Sequence, residues 1–410
     1  MSPRVGVFHP GTQHSWQTAL AFQESQQLAW YATSVFYDQR RWPYRVERYL
    51  PGALGQRIQR EFRRRYTPLL DPDNILQFGT WEWLETGARR LNWGRVSSWC
   101  NRRGNTLFGR SLIRRIERDP PDVLWGYNES SVEVFRWAKK NGIVCVLDQT
   151  IGHQKAWADI MSEERDRHPD FFEDSYRTFT PELLDQQTEE MELADLVVVG
   201  SDFCARTMIE NGCAADKVRV MPYGYDETIF PDKLRAREPL VDRPVRFLFV
   251  GQVDPRKGVA YLFEAFKNIP ESQATLTVVG RLAVPQSTFA RYSDRINYVP
   301  QVPRSEVPEY FLQADCFVFP SLFEGGGIVL YEACGAGLGL IQSDACGDGV
   351  RKGRNGSSLR NVTVEALTET IERVLQDRTR LAEWQEASSQ MREERTWAQY
   401  RERIRGIQVS

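Results

Sequence analysis

The chain lacks most of what would tie it outside the cell or into a bilayer. No apolar run in its 410 residues approaches the length of a membrane span. The opening Met1-Ser2-Pro3-Arg4-Val5 has no hydrophobic stretch ahead of a small-residue cleavage site. Its seven cysteines (Cys100, Cys145, Cys204, Cys213, Cys316, Cys334, Cys346) are odd in number, scattered and without Cys-x-x-Cys or Cys/His ligand spacing. That pattern excludes a disulfide framework and a zinc site, and it implies a reducing, cytoplasmic setting. Cys145 and Cys316 lie in apolar strand-like runs and are expected to be small buried hydrophobes. Histidine is also scarce, at four residues. After the first apolar run the sequence reads His9-Pro10-Gly11-Thr12-Gln13-His14, not Gly-x-Gly-x-x-Gly, which argues against a nicotinamide dehydrogenase.

Apolar residues make up 41% of the chain and charged residues 26%, the composition of a globular protein. The length exceeds what one core usually supports and predicts two domains. A net charge of −2 conceals a strong asymmetry. Residues 39–118 hold 18 arginines, no lysine and seven acids, whereas residues 159–190 hold 11 acids and three arginines. Such a distribution predicts one face that meets something anionic. Within it Leu54, Ile58, Phe62 and Tyr66 recur every fourth residue with Arg57, Arg60, Arg63, Arg64 and Arg65 interleaved, a basic amphipathic helix. Two readings stand open: a helix lying on an anionic membrane surface, or one packed on its own domain with a solvated arginine face. No nucleic acid is expected, because no base-stacking or DNA-reading module accompanies the charge.

Short apolar runs alternate with helical patterns along the whole chain, the signature of βαβ units and parallel sheets. Strands are predicted at Val5–His9, Ala32–Tyr37, Val123–Tyr127, Val144–Leu147, Leu196–Gly200 and Val218–Met221, then at Phe247–Val250, Thr275–Val279, Ile296–Val299, Cys316–Phe319 and Leu338–Gln342. Helices are predicted at Ser15–Leu28, Glu129–Lys139, Ser201–Asn211, Val259–Phe266 and Gly327–Ala336. The turn formers and prolines of Tyr223–Pro244 place the join, giving an N-terminal domain over 1–225 and a C-terminal one over 240–385. A charged helical segment, broken near Thr396-Trp397, closes the sequence, and residues 386–410 are expected to pack back on the first domain.

The most informative stretch runs from Pro320-Ser321 through Glu324-Gly325-Gly326-Gly327-Ile328-Val329 to Glu332 and Gly337. It follows an apolar run, passes three glycines and opens a helix. Glycines let backbone approach a phosphate, and the first amides of a helix are unpaired donors at its positive end. A diphosphate fits there. Carboxylates repel phosphate, so Glu324 and Glu332 are expected to accept hydrogen bonds from sugar and ribose hydroxyls. A second strand-to-helix loop, Val250-Gly251-Gln252-Val253-Asp254-Pro255-Arg256-Lys257-Gly258, brings cations for a leaving diphosphate.

These motifs, in order, resemble the retaining glycosyltransferases of the GT-B fold, specifically glycosyltransferase family 4. The resemblance covers residues 196–360: Ala194-Asp195-Leu196 through Gly200-Ser201, Met221-Pro222-Tyr223-Gly224, Gly251 with Lys257-Gly258, Val278-Val279-Gly280, Phe319-Pro320-Ser321, Glu324-x7-Glu332, and Ser343-Asp344 through Gly356. It implies two Rossmann-like doubly wound α/β domains facing a central cleft, with a nucleotide diphosphate sugar as donor substrate, no cofactor and no metal. It further implies that Glu324 contacts the donor sugar and that Glu332 holds the ribose hydroxyls. Gly326 belongs to the donor-binding turn, and the amides of Gly327, Ile328 and Val329 would bind phosphate that Lys257 neutralises. Tyr298–Val302 would face the base through backbone, with Arg281 at the pocket's edge. Where the family has arginine after the first glycine, this chain has Gln252, and Arg256 is the substitute considered. Gly326 and Gly339 replace a common aromatic and a common proline.

The first half resembles the family in architecture alone. Gly11 is a candidate to meet donor or acceptor. His153 is the candidate for the histidine the family places near the donor sugar, with Asp148 its rival for that place and His168 a weaker one. The implied activity is retaining hexosyl transfer to a glycan or lipid-linked acceptor, in polysaccharide or lipopolysaccharide-type biosynthesis, with the leaving phosphate taking the acceptor's proton. The alternatives are a silent nucleotide-sugar-binding subunit and another GT-B enzyme such as a sugar epimerase or phosphorylase.

Overall fold

The computed structural model describes residues 2–11, 13–37, 67–78, 104, 107–176, 179–231, 238–351 and 353–408. Most of the arginine-rich stretch, including the 54–66 periodicity, lies outside the described residues. The chain forms two compact units: Met1–Gln149 with Asp185–Val198 and Arg401–Ser410, and Thr150–Leu184 with Val199–Tyr400. Among the described residues no helix is long and apolar enough to cross a membrane.

The first sheet has the strands β1 (Val5–Phe8), β2 (Leu28–Thr33), β3 (Ile75–Gln77), β4 (Val123–Tyr127), β5 (Val144–Gln149), β6 (Leu196–Val199) and β7 (Val218–Val220), in the order β3-β2-β1-β4-β5-β6-β7. The pairings of β1 with β2 and β4, of β2 with β3 and of β4 with β5 are parallel. Strand residues Val5–Phe8 and Val123–Tyr127 are all buried, as continuous apolar runs in a sheet covered on both faces must be. Helix α1 (Ser15–Glu24) follows β1, and α2 (Val132–Lys140) follows β4. The order reverses between β1 and β4, which opens a crevice at the carboxyl ends of these strands.

Sequence pattern misplaces one strand and omits two. Val35, Phe36 and Tyr37 are buried but follow the end of β2 at Thr33: their apolarity serves packing and not the ladder. Ile75–Gln77 and Gly356–Leu359 are three and four residues long, too short for alternation to show.

The start of α2 is closed from far along the chain. Glu190 accepts from the amides of Glu129 (2.9 Å) and Ser131 (2.8 Å), supplying the carboxylate that the helix dipole favours. Burial nevertheless pushes the Glu190 carboxyl up to about 7, against the pull of those two amides.

The second unit holds β8 (Val245–Val250), β9 (Ala274–Val279), β10 (Ile296–Val299), β11 (Cys316–Phe319), β12 (Gly339–Ser343) and β13 (Gly356–Leu359), ordered β10-β9-β8-β11-β12-β13. Neighbouring strands here pair in parallel throughout. Its helices include α3 (Gln154–Arg167), α4 (Asp202–Glu210), α5 (Val259–Lys267), α6 (Ile328–Gly335) and α7 (Arg378–Met391). The reversal falls between β8 and β11, so the loops leaving these two strands flank the crevice.

Candidate active site

Those two loops carry the residues singled out in the sequence. After β8, Asp254 accepts from the Lys257 amide at 3.2 Å and caps a short 3-10 turn over Pro255–Lys257. The turn ends at Gly258, whose φ of +67° and whose contact with the Pro320 carbonyl, 2.1 Å from an added Cβ, admit no side chain. That closeness brings the loop against the one leaving β11. There Glu324 Oε1 accepts from Lys257 Nζ, from Arg256 at 2.9 Å and from Ser321 at 2.8 Å. Lys257 also sits 4.6 Å from the centroid of the Phe319 ring.

The charges in this cluster set one another. Burial alone would raise the Glu324 carboxyl, but Lys257 and then Arg256 overcome it and hold the group down at about 2. Burial lowers the Lys257 ammonium, against the attraction of Glu324. Asp254 is raised by burial, with Arg256 and Lys257 opposing. Two cations face two carboxylates, so the cluster is already balanced in charge. The attraction for an anion then falls to the helix start beside it.

That start is α6. Gly327 precedes it with φ +50°, and a Cβ there would meet the Cys346 carbonyl at 2.4 Å. The amides of Ile328 and Val329 open the helix, where no carbonyl of the same helix lies ahead of them; both residues are half-buried. Gly325 and Gly326 are held as tightly: an added Cβ would lie 2.0 Å from the Thr150 carbonyl and 2.6 Å from the Tyr223 ring respectively. Glu332, further along α6, is buried and pairs with the exposed Arg304 at 2.6 Å. Burial raises its carboxyl, and Arg304 pulls the other way.

The remaining sequence candidates lie as follows. Gly251 ends β8 with φ +156°, and its carbonyl would lie 1.8 Å from a Cβ on Gly280. Arg281 is exposed and its carbonyl accepts from Val253, while Val302 is half-buried in the coil after β10. Gln252 is exposed, and Arg256 is the arginine bonded to Glu324. His153 is buried as the N-cap of α3, with Nδ1 accepting from Lys155 at 3.1 Å and Nε2 lacking a partner. Burial, then Lys155, lowers it to about 4. Its neighbour Gly152 packs on Phe323, with a hypothetical Cβ 2.7 Å from that ring. His168 is half-buried and meets Tyr261 edge-on, 4.9 Å between centroids. Gly11 and Asp148 belong to the first unit.

The structure thus brings together Lys257, Arg256 and Glu324, and places Gly327, Ile328, Val329 and Glu332 on the helix that follows. Two partners escape sequence reasoning. Ser321 was visible only as part of Phe319-Pro320-Ser321, and its spacing of three from Glu324 was the available signal. Arg304 lies in a polar loop 28 residues from Glu332, and nothing in its neighbours marks it. Among the described residues no group of three or more His, Cys, Asp or Glu could hold a metal ion.

Residues 231–391 match the family described as glycosyl transferases group 1. The amylovoran biosynthesis glycosyltransferase AmsK of Erwinia amylovora is 29% identical over 144 residues, which are 32% of this chain and 35% of that protein. The chain spans less than half the length of the curated relatives it matches. Solved structures cover it almost whole. Anabaena Alr3699/HepE in complex with UDP superposes with a TM-score of 0.61 at 12% identity, covering 98% of both chains. WaaG, a glycosyltransferase involved in lipopolysaccharide biosynthesis, gives 0.59 at 16% identity and 99% of both. The fold is GT-B, with two parallel sheets and alternating helices.

Proposed function

We propose that this chain, whose residues 231–391 match the glycosyl transferases group 1, is a retaining hexosyltransferase that moves a sugar from a nucleotide diphosphate donor to a glycan or lipid-linked acceptor. The observation that carries the reading is the Glu324 carboxylate, kept ionised by Lys257 and Arg256 beside the opening amides of α6. In this reading Glu324 accepts from donor-sugar hydroxyls, Glu332 from ribose hydroxyls, and the helix amides with Lys257 take the diphosphate. Lys257 is shared: as the phosphate gains charge in the transition state, the ammonium between it and Glu324 stabilises the departing group. Positioning and fixed charge do the work, with no metal and no cofactor, and the leaving phosphate receives the acceptor proton.

AmsK and WaaG are named for amylovoran and lipopolysaccharide biosynthesis, and they support polysaccharide or lipopolysaccharide-type assembly as the setting. HepE is described with UDP, which makes UDP the first nucleotide to try. The arginine excess of residues 39–118 supports a cytoplasmic enzyme that meets an anionic membrane surface. The decisive experiment is calorimetric titration with UDP, GDP and ADP, followed by the anomeric configuration of any product by NMR. Absence of binding to all three nucleotides sinks the proposal, and an inverted product removes the retaining mechanism.

A further inference from the structure

We propose that Arg304 is a positioning residue of the nucleotide site: it holds the Glu332 carboxylate ready for the two hydroxyls of a ribose, and so selects ribonucleotides over their 2′-deoxy forms. The inference rests on the role given to Glu332 in the transferase reading and adds the residue that makes this carboxylate competent.

Arg304 lies in the loop between β10 and the helix Val307–Gln313. There the Glu306 amide donates to the Pro303 carbonyl at 2.9 Å, so Arg304 stands inside a closed turn and follows a residue whose ring fixes φ. From that turn its guanidinium donates to Glu332 Oε1 at 2.6 Å, 28 residues along the chain. The two partners differ sharply: the Arg304 side chain is 71% exposed and that of Glu332 only 9%. An exposed arginine gains little stability from an ion pair, whereas an acid set among the buried Leu330, Tyr331, Ala333 and Cys334 of α6 is costly to desolvate. The pair is therefore better explained by what the carboxylate can bind than by what it holds together.

A carboxylate offers about four acceptor positions, and the arginine occupies one of them, at Oε1. Vicinal hydroxyls, both able to donate, suit the remainder. Burial raises the Glu332 carboxyl, Arg304 lowers it and Asp226 raises it again. Asp226 is engaged in its own turn, where Oδ1 accepts from the Thr228 amide at 3.1 Å and from its hydroxyl at 2.6 Å. α6 brings no other charged side chain, and Asp348, Arg351, Glu394 and Arg395 act on Tyr331 and Cys334 instead. Among the described residues Arg304 is thus the cation that keeps Glu332 an acceptor. Without it, burial and Asp226 act unopposed, and a proton on the carboxyl removes acceptor capacity.

The test uses the full chain and whichever of UDP, GDP and ADP binds it, beside the 2′-deoxy form of the same nucleotide. Calorimetry at pH 8 and pH 6 gives the ratio of the two Kd values, in which the ionisation of the shared phosphates cancels. Wild type should prefer the ribonucleotide about ten-fold or more, and Glu332→Gln should lose most of that preference. Arg304→Gln should lower it about three-fold or more, with a greater loss at pH 6 than at pH 8, and Arg304→Lys should restore it. Carbon-13 NMR without nucleotide, with the Glu332 carboxyl assigned by its absence in Glu332→Gln, should show that group titrating at higher pH in Arg304→Gln than in wild type. A merely structural role moves neither the ratio nor the carboxyl titration. The inference is overturned if Arg304→Gln keeps the wild-type preference. Tighter ribonucleotide binding in that variant also overturns it, since the arginine would then be a competitor that ribose must displace. Failure of the transferase reading looks different: none of the three nucleotides binds wild type at all.

Discussion

Lys257 and Glu324, 67 residues apart, form a buried ion pair whose oxygen also takes Arg256 and Ser321. Removing one partner of such a pair leaves the other charge stranded, at a cost of about 3–5 kcal/mol, whereas removing both is far milder. Lys257→Met should accordingly lower urea-unfolding stability sharply, and Lys257→Met/Glu324→Gln should recover much of it. Equal loss in the single and double variants would deny the pair its energetic coupling.

The same pair shapes acid stability. Glu324 sits at about 2 in the folded protein against roughly 4.3 for an unfolded glutamate. As pH falls below that unfolded value the unfolded state takes up the proton first, so stability is present above it and is lost as pH drops toward 2. Urea midpoints measured between pH 5.5 and pH 3 should fall less steeply in Glu324→Gln than in wild type. Parallel slopes would mean that other carboxylates carry the acid loss.

Glu190 works in the opposite sense. Its folded value of about 7 stands above the unfolded one, so its contribution is complete below the unfolded value and disappears as pH rises through 7. The stability difference between Glu190→Gln and wild type should shift in favour of the variant from pH 5 to pH 8. A difference independent of pH would show that the carboxyl is charged across the whole interval.

Gly327→Ala should impair both folding and nucleotide binding. The left-handed φ of +50° and the Cys346 carbonyl stand against any Cβ, and strain at such positions costs on the order of 1–3 kcal/mol. Glu332→Ala should leave the fold intact and weaken UDP by about 1–3 kcal/mol, the cost of an unmatched ribose hydroxyl. Calorimetry beside thermal unfolding separates the two effects, and wild-type UDP affinity in Glu332→Ala removes that residue from the site.

Much of this was legible from sequence because the signals were local. The strands at Val123–Tyr127, Ile296–Val299 and Cys316–Phe319 agree to the residue with their apolar runs, and Gly258 and Gly327 stand where the backbone turns left-handed. What stayed hidden depends on distance along the chain. Arg304 meets Glu332, and His14 meets Asp148 across 134 residues; no spacing rule joins such pairs, since the topology of the sheet makes them neighbours. The departure at Gln252 was visible, yet only the turn over Pro255–Lys257 shows Arg256 at Glu324.

The arginine excess of residues 39–118 yields a prediction from sequence alone. Each basic side chain near an anionic leaflet contributes about 1 kcal/mol, screened beyond roughly 8–10 Å at moderate salt. Vesicles containing anionic lipid should sediment the protein at low salt and release it at high salt, and Arg60→Glu/Arg64→Glu should weaken the association. Equal, negligible sedimentation with zwitterionic vesicles and anionic ones would assign the cluster to another task.

The first unit also constrains the order of events during synthesis. Arg401 donates to Gln17 at 2.8 Å, and Arg405 pairs with Glu24, contacts that join segments more than 380 residues apart. While the ribosome is still translating the second unit, α1 must wait without these partners, its polar edge open to solvent or to a chaperone. Completion of the contacts of α1 is therefore tied to residues made more than 380 positions later, and a nascent chain stalled before Arg401 would present α1 unfinished.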